Sequence, residues 1–114
     1  MKTLQQKQLQ FLNDTINHYN INNRGIDQYT KQCSYKNGCA IGRHLSKKLV
    51  QTIKNYVVDD NEVYNKLPRK LKELTKEFLM DVQNLHDIEE NWNEKGLSQR
   101  GKDKVNVIKT IYKL

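Results

Sequence analysis

Apolar positions recur at helical spacing along most of the 114-residue chain. Over residues 3–19, Leu4, Phe11, Leu12, Ile16 and Tyr19 share one face, with Gln and Lys elsewhere, which predicts an amphipathic helix. The run from Asn20 to Gly25 ends it, because Asn and Gly favour turns and left-handed backbone. Residues 26–32 carry no clear period. Asn37-Gly38 is the strongest kind of two-residue turn signal and predicts a short hairpin over 33–41. A second helix is expected from 43 or 47 to 57, with Leu45, Leu49, Val50, Ile53 and Val57 inward. Residues 58–67 read as a connection with one helical turn. Pro68 suits a first helical position. From there Leu71, Leu74, Phe78, Leu79, Val82 and Leu85 form a stripe ending near Asn91-Trp92, with Gly96 as the stop. Ser98 can cap a last helix with Val105, Ile108, Ile111 and Tyr112 inward. The fold class that follows is mainly α with one small β-hairpin: a compact bundle of about four helices in a single domain over 1–114.

Hydrophobic residues are 36 % of the chain, which is low, but their periodic placement argues for a folded protein. No stretch approaches the roughly 18 consecutive apolar residues of a membrane span, so no membrane partner is expected. The first dozen residues lack the apolar core of a signal peptide, which makes the cytoplasm the default location. The formal charge of +7 points to an anionic partner.

The placement of that charge sharpens the point. Helix N-termini carry partial positive charge and favour acidic residues. Here the predicted starts carry Arg43 or Lys47 and Lys48, then Arg69 and Lys70, then Arg100 and Lys102. The expected C-terminal end of the long helix is acidic instead, with Asp87, Glu89, Glu90 and Glu94. Two readings fit. The acidic end neutralises a basic start, or a basic start holds an anion through Arg, Lys and backbone N–H groups. Gly42, Arg43, His44, Lys47 and Lys48 are the candidate anion-binding set, with Gly42 allowing close backbone approach. The segment matches neither a P-loop nor a GxGxxG pattern.

Cys33 and Cys39 flank the predicted turn. Alternation across a two-residue hairpin puts them on opposite faces, which disfavours a disulfide or a shared metal. The spacing Cys33, Cys39, His44 is not a familiar zinc pattern. Cys39 reads as a small buried residue, with a reactive thiol as the alternative. The other concentrated patch is His86, Asp87, Glu89, Glu90 and Trp92. His86 and Glu90 would share a helical face, a weak signal for acid–base or metal chemistry. Trp92 reads as a packing anchor. No catalytic residue, metal ligand or cofactor is assigned.

The segments Cys39-Ala40-Ile41-Gly42-Arg43 and Leu85-His86-Asp87, Asn91-Trp92, Gly96-Leu97-Ser98 and Gly101 resemble a group of small uncharacterised proteins. These are encoded by phages, prophages and bacteria. The resemblance covers roughly residues 33–101 and implies a phage-type accessory protein in a bacterial host cytoplasm. It also implies that the two segments form one feature. Arg43 or His44 would then meet Asp87 or Glu90, and His86, Asp87, Glu90 and Trp92 would form a second wall or a structural ion pair.

The expected function is a non-enzymatic binding protein. Its partner is an anionic, phosphate-bearing or nucleotide-like small molecule, or an acidic host protein, in host takeover or counter-defence. A nucleic-acid binder is the first alternative, although no helix-turn-helix spacing with a basic face is present. A small hydrolase or metal enzyme using His86 and nearby carboxylates is the second. A homo-oligomer is compatible with each.

Overall fold

A computed structural model gives the fold and describes residues 2–23, 40–46, 48, 49 and 61–114. The first helix, α1 (Leu4–His18), starts at a capping box. Thr3 Oγ1 accepts from Gln6 N–H at 3.2 Å and Gln6 Oε1 accepts from Thr3 N–H at 2.8 Å. The asparagines that follow end it as expected. Asn23 Nδ2 donates to the His18 carbonyl at 2.8 Å, and Asn20 Oδ1 accepts from Asn22 N–H at 2.8 Å. Phe11, Leu12 and Tyr19 are buried and Ile16 packs against them. Leu4, in the first turn, lies beyond the core and is 43 % exposed.

Gly42–His44 form a single 3-10 turn. Helical conformation resumes at Lys48 and Leu49, after Ser46, whose Oγ accepts from Leu49 N–H at 3.1 Å. Of the two starts considered for the second helix, the later one therefore fits. The rest of that helix and residues 33–39 of the expected hairpin, with both cysteines, lie outside the described residues, and Ala40 and Ile41 form a turn.

Next come α2 (Asn61–Lys66), the helical turn expected in the connection, and α3 (Arg69–Lys72), with Pro68 as its N-cap. The single long helix expected from here to Asn91 is instead two helices, α3 and α4 (Lys76–Asp87), separated at residues 73–75. Thr75 has φ 77° and ψ 147°, a conformation that costs a β-branched residue on the order of 1–3 kcal/mol. Tertiary hydrogen bonds hold the break. Tyr64 OH donates to the Lys72 carbonyl at 2.8 Å, and Gln8 Nε2 donates to the Leu74 carbonyl at 2.9 Å. Thr75 Oγ1 caps α4 by accepting from Phe78 N–H at 3.3 Å.

After α4 a 3-10 turn, Glu89–Asn91, leads into an antiparallel hairpin of β1 (Trp92–Asn93) and β2 (Gly96–Leu97). Gly96 is not a helix stop. It pairs with Asn93 and takes the positive φ, 131°, that closes the hairpin. The last helix, α5 (Gln99–Tyr112), is capped by Ser98, whose Oγ accepts from Gly101 N–H at 3.1 Å.

Among the described residues the protein is mainly helical, as the periodicity predicts, and its small hairpin lies at 92–97, where none was expected. One core gathers Phe11 and Leu12 of α1, Ala40 and Ile41, the whole stripe from Leu71 to Leu85, Trp92, and Val105 and Ile108 of α5. Ile111 departs from its expected inward position. It is 59 % exposed, beside Val107, at the edge of a 270 Å³ cleft between α4 and α5. Among the described residues no helix is long and apolar enough to cross a membrane.

Candidate functional site

The 3-10 turn sends its two basic side chains in different directions. His44 packs on the Phe11 ring, with centroids 5.0 Å apart and planes at 35°. It lines a groove of about 780 Å³ between α1 and α3. Phe11, Leu71 and Leu74 give the groove an apolar floor. Lys2, Lys7, Arg69 and Lys70 bring four cations to its walls, against two carboxylates, Asp14 and Glu73. Glu73 pairs with Lys7 at 3.1 Å and with Arg69 at 3.4 Å. These are exposed pairs of small net value, so both cations remain available to a stronger anion. Lys2 Nζ donates to Gln10 Oε1.

Arg43 turns to the other side. Its Cζ lies 5.8 Å from the centre of the Tyr19 ring, within range of a cation–π contact. The same ring meets His18 edge-on at 4.5 Å, His86 at 4.6 Å and Trp92 at 6.2 Å. Arg43 Nε and Nη2 are buried and have no hydrogen-bond partner among the described residues.

Among the described residues no ion pair joins Arg43 or His44 to Asp87 or Glu90. Asp87 Oδ1 instead lies 2.8 Å from His86 Nδ1 and accepts from Gln83 Nε2 at 2.8 Å. His86 is fully buried, because α4 turns it under Tyr19. The helix ends at Asp87, so His86 and Glu90 do not share a helical face, and the Glu90 side chain is exposed. The two unusual segments do come together, through Tyr19 rather than through charge. Trp92 is the expected packing anchor: its Nε1 donates to the Leu85 and His86 carbonyls, each at 3.1 Å.

Lys48 is exposed and does not line the groove, and Lys47 lies outside the described residues. Gly42 opens the 3-10 turn. The groove residues of α1 were not singled out as functional from the sequence. Their signal is the spacing Lys7, Gln10, Phe11, Asp14, which puts them on one helical face. Among the described residues no group of three or more His, Cys, Asp and Glu side chains is placed to hold a metal ion.

Electrostatics mark the corner as cationic. The His44 pKa is lowered to about 4, first by burial and then by the Arg43 charge, with Asp14 opposing. The His18 pKa is also lowered, by burial, then Arg43, then His86. An NMR titration is therefore expected to show His44 neutral at pH 5.5 and protonating near 4, and protonating at higher pH in Arg43→Met. Protonation near 6.5 in the native protein would contradict the geometry. The sign for stability follows from linkage. Above the unfolded value of 6.5 His44 is neutral in both states. As pH falls from there toward the folded value, the unfolded state takes up the proton first and stability drops. Because His44 is open to solvent on one side, screening limits the loss to on the order of 1 kcal/mol.

No protein-family model, no curated protein and no solved structure matches the chain.

Proposed function

We propose that the protein is a non-enzymatic binding module for an anionic, phosphate-bearing ligand, held in the groove between α1 and α3. The observation that carries this is the pairing of four cations with an apolar floor in one concavity of about 780 Å³. Ligand sites of small molecules commonly fall in the range of roughly 300–1,000 Å³, mostly apolar with a few placed polar groups. Neutral His44 and Phe11 offer ring surface to a planar body, while Lys2, Lys7, Arg69 and Lys70 suit phosphate oxygens. Together these favour a nucleotide-like ligand. An acidic segment of a host protein offers the same charge to the same groove. With the resemblance to small phage-encoded proteins, the reading becomes an accessory protein that sequesters a host ligand or blocks a host protein in the bacterial cytoplasm.

Calorimetry with a nucleoside triphosphate and with inorganic triphosphate tests this. Saturable binding of the nucleotide is expected, weaker binding of triphosphate alone, and at least a tenfold loss for nucleotide in the Lys2→Ala, Lys70→Ala double variant. No saturable heat at millimolar ligand, or unchanged binding in the variant, would refute the small-molecule reading. A nucleic-acid partner rests on the net charge of +7. It would reveal itself by duplex binding that falls steeply with salt, as release of several counterions requires.

A further inference from the structure

We propose that Arg43 forms a second, inner anion site, separate from the groove, that takes a phosphate group by a two-point hydrogen bond. Its two buried donors without a partner among the described residues are Nε and Nη2. Those atoms are the two corners of one edge of the guanidinium, and their N–H bonds run side by side. That edge matches two oxygens of one oxyanion, the geometry in which arginine binds phosphate and carboxylate most selectively. Arginine stays charged, and buried donors without acceptors are costly, so the edge calls for an acceptor. Among the described residues none supplies one: the ion pairs there run between His86 and Asp87 and on the groove side, and none reaches Arg43.

The surroundings select the kind of acceptor. Tyr19 supports the guanidinium from one face and so leaves the edge free to bond in plane. His18 stands against the same Tyr19 ring, and His44 is next to Arg43 in the chain. Both imidazoles lie close enough to Arg43 to feel its charge, and among the described residues the carboxylate that acts on His44 is Asp14. Arg43 carries the full charge of this set and the neutral imidazoles add ring N–H donors, which together suit the several oxygens of a phosphate better than the two of a carboxylate. A bound phosphate would also draw His18 toward its protonated form and gain a third donor.

The test is titration of the native protein with inorganic phosphate at pH 7 and constant ionic strength, reading the Arg43 Nε–H resonance by NMR. A saturable downfield shift is expected, with slowed hydrogen exchange at that proton. Acetate should give a shift at least tenfold weaker in affinity, and chloride none. Arg43→Lys keeps the charge and loses the edge. It should bind phosphate at least tenfold more weakly, read from the His18 ring resonances, while its melting temperature stays close to that of the native protein. Lys70→Ala should leave the Arg43 response intact, which separates this site from the groove. A response to chloride equal to that of phosphate, or no Arg43 shift at 20-fold excess over the groove's own affinity for phosphate, would overturn the proposal. So would undiminished binding in Arg43→Lys. Tighter binding of acetate would replace the phosphate assignment with a carboxylate.

Discussion

Gly101→Ala is expected to lower stability by about 3 kcal/mol, the upper part of the range for forcing extra atoms into a packed site. In an ordinary helix this change gains stability, because alanine is the better helix former by about 1 kcal/mol. Here a Cβ on Gly101 would stand 2.1 Å from the Asn91 carbonyl oxygen and 2.8 Å from Leu97 Cδ2. The leucine can rotate away, but the carbonyl cannot. It accepts from Ser98 N–H at 2.8 Å, and the Asn91 side chain is tied to the Leu85 carbonyl at 3.0 Å. Relief would require the first turn of α5 to lift off the 3-10 turn. Thermal or urea unfolding measures the loss, and a drop of roughly 10 °C is the corresponding scale for a chain of this size. A gain in stability would mean that α5 does not seat on Asn91 at all. Lys102→Ala, on the exposed neighbour, should change little and serves as the control.

Phe78→Ala is expected to cost more, about 3–5 kcal/mol. Phe78 has no exposed surface. Its ring meets Phe11 of α1 at 6.3 Å and Tyr112 of α5 at 5.2 Å, both edge-on. Removing it takes the shared contact from three helices and leaves a void that the break at Thr75 cannot close, since α4 is capped there. Against a total stability of order 5–15 kcal/mol, the variant should be partly unfolded at 37 °C. Phe78→Leu should lose roughly a third as much and stay folded, which separates a cavity from a failed fold. Tyr112 adds a secondary check. Its hydroxyl donates to Asp81 Oδ2 at 2.5 Å, and burial and that carboxylate raise its pKa, so alkali should ionise it late.

The apolar period is legible in the sequence because burial imposes it. Every member of the stripe from Leu71 to Leu85 is indeed inside. The break at Thr75 is not legible, because its cause is remote: Gln8 reaches Leu74 from 66 residues away. A stripe that passes through a break keeps its side, so periodicity alone reads one helix where there are two. The hairpin after α4 escaped for a different reason. Its turn residues, Glu94 and Lys95, carry no turn preference, and the one positive φ falls on Gly96, where it reads as a helix stop. Arg43 and His44 stood out by local charge. Tyr19 did not, because an aromatic at the end of an amphipathic helix reads as core, and it is core as well as bridge. The groove needed the pairing of α1 with α3, which no local pattern in either helix contains.

Tyr19 has one more consequence. The chain holds a single tryptophan, Trp92, almost wholly buried and edge-on to the ring that carries Arg43. The indole N–H is locked to the end of α4, so this chromophore has little freedom of its own. Its edge contact with Tyr19 ties its surroundings to that ring. The protein thus carries a built-in optical probe two contacts from Arg43, through which events at that corner can be followed by emission without a label.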